Sequence, residues 1–241
     1  MKHIPNIFLN EDEIKNNIIK DLDNYNHLIN VLRLKKGSKL NILDNKGNIY
    51  SSIITDIQKH KIIFSINFKE KKDNNRKKLS LIQSILKIST FEEILEKSTQ
   101  LGIYEIYPIV TDNTIVNLNL FKSKYERFNK IIKNSSEQSK RAFMPVLKEP
   151  INMDKFKKYF NKENTFIAFE NANIFLKDII KNYSLQDNNF IMFGPEGGFS
   201  EKEINFFVNE NYNLFKITDN ILRTETAILA AISNFLYEFN L

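Results

Sequence analysis

The chain has no cysteine. Disulfides are excluded, and with them every metal site that needs a thiolate. Its three histidines, His3, His27 and His60, are scattered without HxxxH or HxH spacing, so no metal centre is expected. No run of 18 apolar residues occurs and the first residues lack a signal-peptide pattern, which points to a cytoplasmic protein without a membrane span. Glycine is scarce as well. Three of only six glycines fall between positions 194 and 198, and their spacing matches neither the GxGxxG dinucleotide fingerprint nor the GxxxxGK[ST] phosphate loop. A Rossmann cofactor and a P-loop nucleotide are therefore unsupported.

What is present is an ordinary globular composition, 42% hydrophobic and 27% charged over 241 residues. That length admits one large or two small domains with a sizeable core. The formal net charge of +6 fits a nucleic-acid partner. A Lys-, Asn- and Ile-rich chain that solvates its surface with lysine reaches the same figure, so charge leaves the two readings open.

The glycine cluster has a definite local grammar. Phe190-Ile191-Met192-Phe193 reads as a short buried strand, Gly194-Pro195-Glu196-Gly197-Gly198 as a sharp turn, and Ser200-Glu201-Lys202-Glu203 as a capping box opening a helix. Glycine serves where the backbone needs positive φ, or where a ligand approaches the main chain without a Cβ in the way. Backbone N–H groups at a helix N-terminus suit a ligand that needs many donors; a capped turn without ligand carries the same residues. Ile221-Leu222 followed by Arg223-Thr224-Glu225-Thr226 forms a second polar corner, at the start of an amphipathic helix. Two such corners are what a ligand crevice at the strand ends of an α/β sheet requires.

Together GPEGGFSEKEI and ILRTETAILAA closely resemble the RsmE-type family, the 16S ribosomal RNA uridine-N3 methyltransferases of the SPOUT superfamily. The resemblance extends to His27, Val31-Leu32-Arg33 and Gly37 (HxxxVLRxxxG), to Lys97–Gly102 (K-x-T-E-L-G, with Gln100 replacing Glu), and to Ser136–Arg141 (EQSxR) followed by Pro145. Two further departures are Asn6, where an Arg often precedes the first strand, and Thr218-Asp219 in place of Leu-Gly. The resemblance implies S-adenosyl-L-methionine as cofactor, small-subunit ribosomal RNA as partner, a homodimer, a PUA-like N-terminal domain and a trefoil-knotted C-terminal domain.

In chain order, residues 1–70 read as a small β-rich domain, with a short helix across 23–34 and alternating strands at 40–50, 53–57 and 61–68, which suggests a small barrel. Val31 and Leu32 are expected in its core, and His27 as a packing or capping residue. Lys69–Lys78 holds six basic residues and no apolar one, so 71–78 is read as a linker. From 79 to 241 strands alternate with helices: strands at 79–86, 103–110, 165–169, 190–193 and 214–217, and helices at 122–141, 173–181, 201–209 and 225–239. A stripe at Phe91, Ile94, Leu95, Ser98 and Leu101 marks a further helix, with Gly102 as its C-terminal cap. Such alternation predicts an α/β domain with a mostly parallel sheet covered on both faces.

From the resemblance, the cofactor cradle comprises Phe193, Gly194, Pro195, Glu196, Gly197, Gly198, Ile217, Ile221, Leu222 and Thr226. Uridine N3 is a weakly acidic imide, so its methylation needs a proton acceptor and donors near the uracil oxygens. Arg223 is the first candidate donor and Arg141 the second. Glu196 is the candidate base and Glu225 its rival. An acid in the first turn of a helix also serves the macrodipole, an Arg at a helix end can pair with its carbonyls, and Glu196 can simply brace its loop. Arg33 and Arg141 are candidates for RNA contact. Rival readings are a SPOUT methyltransferase for another RNA nucleotide, and a non-catalytic RNA-binding assembly factor.

Overall fold

The computed structural model describes residues 4–73 and 77–239. It divides into two compact units, residues 4–73 with Ser136–Met144, and residues 77–135 with 145–239. The first unit differs from the contiguous span 1–70 by taking in a segment from the middle of the chain. Part of the expected linker, residues 74–76, and His3 lie outside the described residues.

The first unit is a five-stranded sheet with β1 (Asn6–Phe8), β2 (Ile18–Ile19), β3 (Lys39–Leu43), β4 (Asn48–Gln58) and β5 (Lys61–Lys71), in the order β1-β3-β4-β5-β2. β1 runs parallel to β3 and the other pairs are antiparallel. The segments read separately at 50 and 53–57 form one strand, β4, which accommodates register shifts at Ser51/Ser52 and Ile54/Asp56. A single apolar core gathers Ile7, Ile19, Leu28, Leu40, Ile42, Ile54, Ile62 and Phe64. Helix α1 (Glu11–Asn16) is capped by Asn10, and α2 (Leu22–Asn26) by Asp21.

α2 does not continue as an ordinary helix. Residues His27–Val31 form a π-helical turn, with the Leu32 N–H donating to the His27 carbonyl at 2.9 Å. The wider turn changes which side chains share a face. Leu28 stays fully buried while Val31 is 66% exposed and Leu32 39% exposed, so the expectation that Val31 and Leu32 are core residues is corrected. His27 is exposed and stands at the junction of the two turns. Arg33 ends the turn in the left-handed region at φ +53, and the Leu34 N–H reaches back to the Leu28 carbonyl.

The second unit is a seven-stranded parallel sheet. Its strands are β6 (Lys78–Ser84), β7 (Glu105–Val110), β8 (Val146–Leu147), β9 (Ile151–Asn152), β10 (Thr165–Ala168), β11 (Asn188–Phe193) and β12 (Asn213–Phe215). The order is β12-β10-β11-β6-β7-β8, with β9 also on β7. The chain therefore starts mid-sheet at β6, builds outward through β7, then returns to fill the other side. α3 (Ile88–Gln100) ends as the sequence predicts, with Gly102 at φ +95 and the Ile103 N–H on the Ser98 carbonyl. The helix expected at 122–141 is α5 (Tyr125–Gln138), and a separate short helix, α4 (Leu118–Lys122), precedes it. One face of the sheet packs on α6 (Phe156–Tyr159) and α8 (Glu201–Asn209) through Phe156, Phe160, Phe207 and Tyr212. α7 (Leu176–Lys181) and α3 pack against the last helix, α9 (Thr224–Phe239). Phe166 of β10 meets Phe235 of α9 at 5.2 Å between ring centroids, and both are fully buried; each such side chain contributes about 1.5–3 kcal/mol by burial. No helix among the described residues is long and apolar enough to cross a membrane.

Candidate active site

Parallel strands leave their carboxyl ends on one edge, and that edge holds the site. A cavity of about 180 Å³ opens there, walled by the segments that follow β10, β11 and β12 and by the first turn of α9. From the expected cradle, Phe193, Gly194, Pro195, Glu196, Gly198, Ile217, Ile221 and Leu222 line it. Gly197 and Thr226 do not. Sequence reasoning singled out Thr218 only as a departure from the family pattern, and it missed Phe169 and Glu170 after β10, Phe199, Lys216, Asn220, and Thr224 with Ala227 on α9. The rule that ligands sit at strand carboxyl ends marks residues 169 and 170, since β10 was already legible.

The glycine loop has the conformation its composition demands. The Gly198 N–H donates to the Pro195 carbonyl at 2.9 Å, closing a turn, and Gly198 itself lies at φ +70. A Cβ on Gly194 would stand 3.2 Å from the Phe199 ring, so that ring packs where a side chain would go. The capping box forms as expected: Ser200 Oγ accepts from the Glu203 N–H at 3.1 Å, and Glu203 Oε2 accepts from the Ser200 N–H at 2.8 Å. Beneath the loop, the buried Gln83 at the end of β6 donates from Nε2 to the Gly194 carbonyl at 3.4 Å.

The opposite wall is organised by the residues that depart from the family pattern. Lys216 pairs with Asp219 at 2.8 Å and lies over the Phe175 ring at 4.6 Å. Thr218 Oγ1 accepts from the Asn220 N–H at 3.3 Å. Thr218-Asp219 thus builds its own turn. The wall is tied to the segment before α7, where the Lys216 N–H meets the Ile174 carbonyl and the Lys216 carbonyl accepts from Leu176.

The candidate chemical groups fall in different places. Glu196 is exposed at the cavity wall, and its carboxylate accepts from the Lys87 N–H, at the N-cap of α3, at 3.4 Å. Arg223 is exposed immediately before α9, and Glu225 sits in that helix's first turn; neither lines the cavity. Gln100 is exposed and bonds Glu96 at 3.2 Å.

Arg141 and Arg33 both belong to the first unit. α5 ends in a Schellman turn, with Lys140 left-handed at φ +58 and the Arg141 N–H on the Ser136 carbonyl at 2.9 Å. Burial pushes the Arg141 guanidinium down to about 10, since loss of water disfavours its charge. In the same motif Glu137 Oε1 accepts from the Phe8 N–H at 2.9 Å, and its carbonyl accepts from Asn6 Nδ2 at 2.9 Å. Asn6 is buried and also accepts from Asn41 Nδ2. Its role is to brace β1.

Among the described residues no group of three acidic or His side chains is placed to hold a metal. The cavity suits a mixed ligand. Phenylalanine and aliphatic side chains supply a slot for a planar ring, Glu170 an acceptor for hydroxyls, and the glycine loop a wall without side chains. Such a lining accommodates a ligand that combines a planar ring, hydroxyls and polar ends.

Comparison with known proteins matches two family models in succession along the chain. Residues 73–236 match the RNA methyltransferase domain family, and residues 19–67 the RNA methyltransferase PUA domain. The chain is 33% identical over 237 residues to ribosomal RNA small subunit methyltransferase E 2 of Borreliella burgdorferi, with 95% of each chain covered. It is 30% identical over 243 residues to ribosomal RNA small subunit methyltransferase E of Buchnera aphidicola, covering 99% and 98%. The crystal structure of that enzyme from Neisseria gonorrhoeae, bound to S-adenosyl methionine, has a TM-score of 0.85 at 28% identity over 98% of each chain.

Proposed function

This chain belongs to the RNA methyltransferase family that includes the ribosomal RNA small subunit methyltransferases E, and from that premise we propose that it methylates N3 of a uridine in 16S ribosomal RNA. The observation that carries the reading is the cavity at the carboxyl edge of the parallel sheet, walled by the glycine loop and the start of α9. S-adenosylmethionine, bound there, supplies an electrophilic methyl group. The glycine loop and residues 217–222 hold its two ends, and Glu170 accepts from its ribose hydroxyls.

The remaining tasks belong to side chains. Glu196, at the cavity wall, takes the N3 proton, a role its position favours over Glu225. Arg223, exposed beside the cavity residue Leu222, donates to the uracil oxygens as negative charge develops on them. Arg141, the second candidate donor, belongs to the other unit and does not line the cavity. Arg33, exposed just after the π-helical turn, contacts RNA phosphate, and Arg141 shares that task. The family resemblance also supports a homodimer, a trefoil knot in the C-terminal domain and a cytoplasmic location.

The test is incubation with labelled S-adenosylmethionine and small ribosomal subunits, followed by digestion and identification of the labelled nucleoside. Label in 3-methyluridine is expected, and Arg223→Ala should slow its appearance without weakening cofactor binding. Label in another nucleoside overturns the substrate. No label, with cofactor binding intact, turns the protein into a binding factor.

A further inference from the structure

Outside the cavity wall, a second loop grips the glycine loop. β7 ends at Val110, and the chain turns tightly at Thr111–Thr114. The Thr114 N–H donates to the Thr111 carbonyl and the Thr111 N–H to Thr114 Oγ1, both at 3.0 Å. This turn presents two consecutive side chains to residues 197–203. Asn113 Nδ2 donates to the Gly198 carbonyl at 3.0 Å and to the Gly197 carbonyl at 3.3 Å. Asp112 Oδ2 accepts from Ser200 Oγ at 2.7 Å, and the Asp112 N–H donates to Glu203 Oε1 at 3.0 Å. Asn113 Cβ lies 3.6 Å from where a side chain on Gly197 would begin.

Neither Asn113 nor Gly197 lines the cavity, whereas Gly198 and Phe199 do. A trans peptide points its N–H opposite to its C=O. Holding the Gly198 carbonyl against Asn113 therefore turns the Phe199 N–H the other way, and fixes one peptide plane of the cavity wall. The brace reaches across 84 and 85 residues of sequence, so glycine-loop composition does not account for it.

We propose that Asn113 is a positioning residue for the cofactor, acting through the glycine loop by donating its amide protons to the Gly197 and Gly198 carbonyls. The proposal rests on the reading of the cavity as an S-adenosylmethionine site. Its signature is the difference between donor and turn-former. Asp forms the same local turns as Asn, so a turn-forming role tolerates Asn113→Asp and suffers most from Asn113→Ala. A donor role gives the reverse order, because Asn113→Asp sets carboxylate lone pairs against two carbonyls.

The experiment is calorimetric titration of the full-length protein and its variants with S-adenosylmethionine, alongside thermal unfolding. Asn113→Ala should raise Kd about tenfold, as two lost exposed hydrogen bonds allow, and Asn113→Asp should raise it further. Asn113→Gln, which keeps the amide on a longer stem, should recover part of the loss. Turnover at saturating cofactor should be unchanged while the cofactor KM rises. Because Asn113 is exposed, unfolding midpoints should fall by no more than about 2–4 °C; if Asn113→Asp fails to fold, the order of Asn, Gln and Ala decides. Wild-type affinity in Asn113→Asp, or equal affinities throughout, overturns the role of Asn113 alone. Absence of binding in the wild type overturns the cofactor reading with it.

Discussion

Gly198 isolates the backbone contribution of the glycine loop. It lies at φ +70, and an added Cβ would meet nothing within 4 Å. Steric contact is absent, so Gly198→Ala costs only what an L side chain loses in the left-handed region, about 1 kcal/mol. Where that loss appears depends on the free loop. If the turn closed by the Pro195 carbonyl persists without ligand, the unfolding midpoint falls by about 2–4 °C and affinity is kept. If the loop relaxes when free, the cofactor Kd rises about fivefold instead. Calorimetry and thermal unfolding of one preparation give both parts. Gly198→Asn should recover most of the loss, because Asn enters the left-handed region more readily. Gly194→Ala provides a contrast: its Cβ would stand 3.2 Å from the Phe199 ring, so it should weaken binding by displacing a wall side chain. Unchanged stability and affinity in Gly198→Ala, or equal damage from Ala and Asn, would refute the reasoning.

Glu196→Gln should lower the methyl-transfer rate by about 10²–10⁴-fold with little change in cofactor affinity; a change in affinity alone would leave Glu196 only as a brace between its loop and the N-cap of α3. Gly47→Ala should destabilise the first unit by on the order of 3 kcal/mol, because at φ +93 its Cβ would lie 2.6 Å from both the Lys72 carbonyl oxygen and Phe143 Cζ; urea unfolding with an unchanged midpoint would contradict this. Tyr212 donates from its hydroxyl to the Phe160 carbonyl at 2.7 Å, and burial, with Glu210 and Glu163 nearby, pushes its pKa up to about 12. A raised folded pKa gives a contribution that is present below the unfolded value near 10 and lost as pH rises from about 10 to about 12. Tyr212→Phe should remove that part of the alkaline stability loss, so melting curves of equal pH slope for both proteins would be the contrary result.

Much of the second unit was readable because its signals are local. Ser200 and Glu203 cap α8 where a capping box predicts, and Gly102 ends α3 in the left-handed turn that glycine favours. Strands β10 and β11 announce themselves as short apolar runs, and β6 through Leu79, Leu81 and Ile82. The two-residue strands β8 and β9 are too short to carry any period. Val31 and Leu32 misled because a helical period was assumed through a turn whose hydrogen bonds span one residue more. In the cavity, the glycine loop was visible, but Glu170 and Asn220 stand in aperiodic loops, Lys216 lies at the end of a strand read without a site in view, and the three become neighbours only when three strands end on one edge. Asn113 was invisible for the same reason: its partners are distant in sequence, and a single Asn after a strand reads as an ordinary turn.

The discontinuity of the first unit bears on how the protein is made. Its sheet is encoded before residue 73, yet Ser136–Met144 belongs to the same compact body. Glu137 anchors β1 at Phe8 and Asn6, and the Met144 N–H donates to Asn45 Oδ1 at 2.7 Å. A ribosome translating this message therefore releases the five strands well before the segment that ties down the first of them. During that interval β6, α3 and β7 emerge while the N-terminal sheet still lacks its tether, and the nascent chain carries two unfinished bodies at once. Chaperone contact at this stage, and any expression plasmid cut at the apparent boundary, meet a sheet whose first strand has lost Glu137.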